Sequence, residues 1–263
     1  MKKFVFKLIK FLSCFGVDLL RPYTILKGLI NFYIKDYFSL KKQLRDKASF
    51  GYVKLNPVFT DRYCFSGTAN GAYFYQDLLV AQLIFRDNPP NHLDVGSRVD
   101  GFIAHLASFR EVDVVDIRPL NSKISNINYK QLDLMGDCTN LFGEYSSISS
   151  LHAIEHFGLG RYGDVVDIDG SQKGMDNIYS ILKKGGKFYF SVPIGPQRIE
   201  FNAHRVFSMS YLLDYFKTKY IINSFSYVDD FGELHQNICL EDEMISNSFG
   251  CNYGCGIFEL IKI

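Results

Sequence analysis

The sequence predicts an α/β fold built on a mostly parallel sheet, with a helical extension at its N-terminus. Three observations predict it. Short apolar strand candidates alternate with helix candidates five times along the chain. The first two strand candidates bracket a glycine turn, Gly96-Ser-Arg-Val-Asp-Gly101. The second strand candidate ends in a carboxylate, Asp116, which a parallel βαβ unit brings to the same sheet edge as the turn. With 263 residues, 47% of them hydrophobic and 22% charged, the chain can bury one substantial core with an appendage. The expected division is a basic helical extension over 1–48 and an α/β domain over 49–263.

The elements follow in order. Residues 1–45 hold ten Lys/Arg and two Asp, although the whole chain is only +1, so the remainder is net acidic. Phe4, Leu8, Phe11, Leu12 and Phe15 fall on one helical face, with Lys3, Lys7 and Lys10 mostly elsewhere. That pattern suits the interface of an anionic membrane. The internal lysines and Asp18 rule out a spanning helix, which needs about 20 mostly apolar residues. A helix is expected from about Tyr75, ended by Asn88-Pro89-Pro90, with Tyr75, Gln76 and Asp77 candidates to close over a ligand. The first strand is expected over His92–Val95, a helix over Phe102–Phe109 and the second strand over Val112–Asp116. A third strand, near Tyr129–Leu132, precedes Asp133 and Asp137. A fourth, Ile148–Leu151, leads into His152-Ala-Ile-Glu155-His156, then a loop with Arg161 and Asp164. A helix over Ser171–Leu182 ends in Lys183-Lys184-Gly185-Gly186 before a fifth strand, Lys187–Val192. The polar cluster Glu200, Asn202, His204 and Arg205 precedes a helix to about Phe216. Strands over Tyr220–Val228 and Gly256–Ile263 close the chain.

Residue chemistry gives these positions roles. Gly96 and Gly101 permit backbone angles and close approach that a Cβ blocks. A carboxylate at the end of the second strand can accept two hydrogen bonds from a ribose diol, so the constellation points to a nucleoside-type cofactor. Asp133 or Asp137 would stand beside an adenine, and the sequence leaves the choice open. The six cysteines are scattered, which suits reduced thiols in the cytoplasm, and Cys251 and Cys255 lack a second ligand pair for zinc.

The order of elements, with these residues, resembles the class I S-adenosylmethionine-dependent methyltransferases. The matching pieces are Leu93-Asp94-Val95-Gly96, Asp116, Asp133 or Asp137, Leu182-Lys183-Lys184-Gly185-Gly186 and the closing strand pair. The resemblance implies a Rossmann-like three-layer sandwich with a seven-stranded sheet whose last strand is antiparallel. It also implies S-adenosyl-L-methionine as cofactor, held by Asp94, Gly96, Arg98, Gly101, Asp116, Asp133, Asp137 and His152. Leu151–His156, Gly160–Asp164 and Glu200–Phe207 look like an uncharacterised bacterial methyltransferase-like family, several of whose relatives accompany surface-polysaccharide enzymes. That implies O-methylation of a sugar or glycan precursor. His156 is the expected general base, with Glu155 beside it and His204 or His152 as alternates. Arg161, Arg205 and Asn202 are expected to face the acceptor; an arginine suits a carboxylate or phosphate. One departure stands out: where the superfamily motif carries a further glycine, this chain has Arg98.

Three other readings use the same residues. Gly96-x-Arg98-x-x-Gly101 with Asp116 is also a broken dinucleotide fingerprint, which would make the chain an NAD(P)-dependent oxidoreductase. His152-x-x-Glu155-His156 spells an inverted zincin signature, although it follows a strand rather than lying on a helix, and no metal is expected. A catalytically inactive module, docking a glycan-assembly complex at the membrane, is the third. The acidic body shows no basic stripe, so no nucleic acid is expected as partner. The expected location is the cytoplasm, with the basic head peripheral on the inner face of the cytoplasmic membrane.

Overall fold

The computed structural model describes residues 21–44, 53–67 and 69–263. The helix expected over 4–15 lies outside the described residues. The chain forms two compact units, Met1–Thr68 and Ala69–Ile263. In the first, α1 (Arg21–Ile30) continues through a wider π-type turn, Asn31–Tyr37, into α2 (Phe38–Gln43). Gly28 allows close approach here: a Cβ would fall 2.0 Å from the Phe59 carbonyl oxygen. Among the described residues no helix is long and apolar enough to cross a membrane.

The second unit opens with α3 (Gly71–Asp87), which buries Val80, Ala81 and Ile84. It ends where Asn88 adopts a left-handed φ of 40° and Pro89-Pro90 follow, since neither proline can donate the next helical bond. Then come β1 (Leu93–Val95), a π-type turn Val99–Ile103 running into the short α4 (Ala104–Ala107), β2 (Val112–Asp116) and β3 (Ile127–Gln131). These are followed by β4 (Tyr145–Leu151), α5 (Gly170–Ile181), β5 (Leu182–Ile194) and the hairpin β6 (Arg198–Glu200) and β7 (His204–Val206). The unit closes with α6 (Met209–Phe216), β8 (Tyr220–Val228), β9 (Leu234–His235), α7 (Asp242–Ser246) and β10 (Gly254–Lys262).

The sheet order is β3-β2-β1-β4-β5-β10-β8-β9. The first five strands are parallel, and β10 runs antiparallel to both β5 and β8. Without the two-residue β9, this is the expected seven-stranded Rossmann-like sheet, with the last long strand reversed. Each face carries its own core. Val80, Ile84, Phe102, Ile103 and Leu106 pack with Val112, Val114 and Tyr189 on one side. Met175, Ile178, Leu212 and Phe216 pack with Leu93, Val95, Phe190 and Phe258 on the other. Register joins Phe190, Phe258 and Phe225 across β5, β10 and β8.

The structure departs from the expected elements in four places. The helix expected over 102–109 starts earlier and ends sooner, as a wide turn over Val99–Ile103 and an α-turn over Ala104–Ala107; Phe102, Ile103 and Leu106 are buried, but Phe109 lies outside against Phe85. The glycine tract before the fifth strand is a bulge inside it: Tyr145 pairs with Leu182 but Ser147 with Lys187, so Lys183–Gly186 loop outward. The polar cluster Glu200–Arg205, for which no strand was expected, lies in hairpin β6–β7. The stretch between the last two strands holds β9 and α7.

Candidate functional site

The parallel order reverses direction between β1 and β4, and ligands of open α/β sheets bind beyond the strand ends at such a switch. A cavity of about 530 Å³ lies there. Gly96, Arg98, Asp116, Asp133, His152, His156 and Arg161 all line it, so the structure brings together residues read separately from the sequence.

The floor is the turn after β1. Gly96 has φ +72°, and a Cβ on it would meet the Ala153 Cβ at 2.9 Å. Its N–H donates to the Val115 carbonyl at 2.9 Å, tying the turn to β2. Asp94 does not reach the cavity. It is fully buried under the turn, where Oδ1 accepts from the Ser97 N–H at 3.0 Å and Oδ2 from the Ser97 and Ser149 hydroxyls at 2.7 and 2.6 Å. Burial outweighs these donors and pushes its carboxyl up to about 7. Behind it the His92 ring bridges Ser147 and Ser149 at 2.8 and 2.9 Å, and burial holds that imidazole down at about 3. Gly101 also stands off the wall: a Cβ would meet Asp77 Oδ2 at 2.8 Å. Asp77 itself is buried and pushed up to about 6.

Arg98 does not fill the hollow. Its guanidinium donates to Asp100 at 3.2 and 3.0 Å, with its Cζ 5.5 Å from the Tyr73 ring. Asp116 is on the wall, and both its oxygens are engaged. Oδ1 accepts from the Arg118 backbone N–H at 2.8 Å and Nε at 3.0 Å; Oδ2 accepts from Nη2 at 2.5 Å. Of the two acids after β3, Asp133 lines the cavity and Asp137 does not. Asp133 accepts from the Met135 N–H at 2.9 Å, whereas exposed Asp137 accepts from the Thr139 N–H at 2.9 Å, fixing a surface turn.

The wall after β4 carries two histidines about one carboxylate. His152, at φ +50°, has Nδ1 2.8 Å from Glu155 Oε1, and His156 Nε2 is 3.7 Å from the same oxygen. Burial disfavours a charged His152, but the adjacent Cys255 and Glu155 outweigh it and hold this imidazole well above its usual range. Burial likewise pushes Glu155 up, and His152 more than offsets that, leaving the carboxyl below the ordinary range. Burial dominates at His156 and pulls it down. The His156 Nδ1–H donates to the Ala203 carbonyl at 2.6 Å. Glu155 sits wholly behind the wall. Only Ile154–His156 forms a tight helical turn and His152 precedes it at positive φ, so the two histidines do not share a helical face as a zincin requires. Among the described residues no three metal-ligating side chains are grouped for an ion.

Three acceptor candidates stand elsewhere. His204 lies in β7, with Nε2 3.2 Å from Glu200 Oε2 and its ring 4.9 Å from that of Tyr253. Asn202 is exposed in the hairpin turn. Arg205 is buried with its guanidinium spent on the carbonyls of Phe157, Asp167 and Ile168, so it staples the 157–168 segment instead of facing a ligand. None of these three side chains lines the cavity. Arg161 remains on the wall and donates to the Ala203 carbonyl at 2.9 Å.

The sequence did not single out Tyr73, Arg118, Tyr129, Met135 or Tyr162, which also line the cavity. Two had a visible signal: Arg118 lies two residues from Asp116, and Tyr162 follows Arg161. Tyr73 takes the place expected of Tyr75; Gln76 and Asp77 are buried, with Gln76 Oε1 accepting from the Ser191 hydroxyl at 2.6 Å.

Residues 107–248, more than half of the chain, match the family described as Caenorhabditis protein of unknown function, DUF268. The chain belongs to the DUF268 family. Its matched span runs from the end of α4 through β2–β9 to α7, and so includes Asp116, Asp133, His152, Glu155, His156 and Arg161. No curated protein matches this DUF268 chain. Solved structures similar to it include the N-methyltransferase NodS of Bradyrhizobium japonicum WM9 with S-adenosylhomocysteine, 12% identical, covering 86% of this chain and 97% of that one at a TM-score of 0.48. The 1,6-didemethyltoxoflavin-N1-methyltransferase of Burkholderia thailandensis is 12% identical, covering 94% and 91% at 0.49. The [4+2]-cyclase SpnF is 10% identical, covering 75% and 85% at 0.49.

Proposed function

We propose that this DUF268 chain is an S-adenosylmethionine-dependent methyltransferase acting on a hydroxyl of a sugar or surface-glycan precursor. The observation that carries the reading is the cavity at the carboxyl ends of β1–β4, with the Gly96 turn as its floor and the Asp116 carboxylate on its wall. Its volume of about 530 Å³ falls within the ~300–1,000 Å³ of small-ligand sites. Its lining fits a nucleoside: Gly96 leaves room where a Cβ would collide, Asp116 offers two acceptor oxygens, and Leu132, Leu134 and Met135 supply an apolar edge.

When bound, the cofactor supplies an electrophilic methyl group. Asp116 would accept hydrogen bonds from the ribose hydroxyls, Asp133 would stand near the base, and Arg98 at the rim would suit a carboxylate. His156 takes the proton from the acceptor hydroxyl. Its Nδ1–H is fixed on the Ala203 carbonyl, so Nε2 carries the lone pair. Its lowered pKa keeps it neutral, hence basic, at neutral pH. Glu155 Oε1, 3.7 Å from Nε2, steadies the imidazolium that forms. Arg161 matches an anionic substituent on the acceptor.

One observation favours a second reading, a non-catalytic docking module: Arg118 already occupies both oxygens of Asp116. Calorimetry of the full chain with S-adenosylmethionine separates the two. The enzyme reading expects binding that Asp116→Ala weakens about 10–150-fold, the equivalent of ~1.5–3 kcal/mol for a charged acceptor. It also expects label transfer from the cofactor to one member of a panel of nucleotide-activated and lipid-linked sugars. Absence of binding refutes it.

The same reading places the basic head on an anionic membrane. Over 21–43, Tyr23, Leu26, Ile30, Ile34 and Phe38 are exposed alongside Arg21, Lys35, Lys41 and Lys42. Apolar and basic side chains together suit lipid headgroups. Flotation with anionic vesicles, with and without residues 1–45, tests it; equal flotation refutes it.

A further inference from the structure

Of the three arginines that line the hollow, two are each neutralised by an acid two residues away: Arg98 by Asp100 and Arg118 by Asp116. The second pair differs in kind. Its acid is the one that would hold the ribose diol, and its guanidinium reaches further. Arg118 Cζ lies 4.5 Å from the Tyr162 ring, on the loop after β4. That ring stands edge-on to His156 at 5.5 Å, with Arg161 Cζ 5.2 Å from its centre. Contacts therefore run Asp116–Arg118–Tyr162–His156 from the diol end of the cavity to the general base.

We propose that Asp116, Arg118 and Tyr162 form a latch over the hollow, opened when a nucleoside diol displaces the guanidinium from Asp116, and that its opening frees the His156 loop for the acceptor. The inference rests on the nucleoside-cofactor reading above. The fork takes an oxygen apiece with Nε and Nη2, so a diol that needs both oxygens competes with it directly. The Arg118 backbone stays behind: its N–H is held by Asp116 Oδ1 and its carbonyl by the Tyr129 hydroxyl. Only the side chain has to move. At 44% exposure the guanidinium has water to move into, while the Asp116 side chain, 9% exposed, stays on the wall to take the incoming diol. Release of Arg118 removes the cation from the Tyr162 face and with it the link to the 159–164 loop. Cofactor then precedes acceptor in the order of binding.

The test uses the full chain and S-adenosylhomocysteine. Arg118→Met keeps the stem and removes the fork. Calorimetry should give binding about three- to tenfold tighter than wild type, because the ligand no longer has to displace the guanidinium. Tyr162→Leu breaks the far end without touching Asp116 and should also tighten binding. Hydrogen exchange over residues 158–166 should be faster in ligand-free Arg118→Met than in the ligand-free parent, and the ligand should speed it in the parent. Equal or weaker binding by both variants overturns the latch, as does unchanged exchange over that loop. If the parent binds no S-adenosylhomocysteine while Arg118→Met still speeds exchange, the nucleoside reading falls and the diol trigger with it. Tight binding by the parent with no gain in either variant overturns the latch alone.

Discussion

Asp94 makes the chain's stability depend on pH in a direction opposite to that of most carboxylates. It is fully buried beneath the glycine turn, and burial raises its pKa from 3.8 to about 7. A group whose pKa is higher in the folded state than in the unfolded chain binds its proton more tightly when folded. Its stabilisation is complete below pH ~4 and is lost as pH rises to about 7. The span of roughly three pH units, at about 1.4 kcal/mol each, gives a loss of about 4 kcal/mol. Asp94→Asn removes the titration while keeping a side-chain oxygen for the Ser97 N–H. Urea unfolding of both proteins at pH 5, 6, 7 and 8 isolates the term, because every other titrating group is common to the pair. The parent should lose stability relative to Asp94→Asn up to about pH 7, then run level with it. A constant difference across the series would refute the argument, and a gain by the parent with rising pH would show that the Ser97 and Ser149 donors, not burial, control this carboxyl.

Two further outcomes follow from the site and the core. His156→Ala should lower methyl transfer about 10²–10⁴-fold while leaving S-adenosylhomocysteine affinity in place; a near-parental rate in a labelled-methyl assay refutes its role as base. Phe216→Ala, at a fully buried position against Phe190 and Phe258, should cost about 3–5 kcal/mol in urea unfolding; a loss below about 1 kcal/mol would mean the α6 face is not part of the core.

How much was legible depended on range. β2 and β8 match their expected limits because Val112, Val114 and Val115, and Tyr220, Ile221, Ile222, Phe225, Tyr227 and Val228, are β-branched or aromatic residues concentrated in those short stretches. The helix after the glycine turn was overextended because Phe109 fits the helical period, yet it packs outside on Phe85. The β6–β7 hairpin was missed because Arg198-Ile-Glu200 and His204-Arg-Val206 are too short to show alternation, and their pairing supplies the evidence. The same fold decided between Asp133 and Asp137, which are equivalent as a local pattern but stand on and off the cavity wall.

The sequence alone determined the order of the seven expected strands, the glycine turn after β1 and the acid that ends β2. Those depend on side-chain periodicity and backbone freedom over a few residues. Tertiary structure decided that Arg205 is consumed by carbonyls, that Glu155 serves two histidines from behind the wall, and that Arg118 bridges Asp116 to Tyr162. These are pairings set by how distant segments pack, and local spacing carries no record of which charge will meet which partner once the sheet has formed.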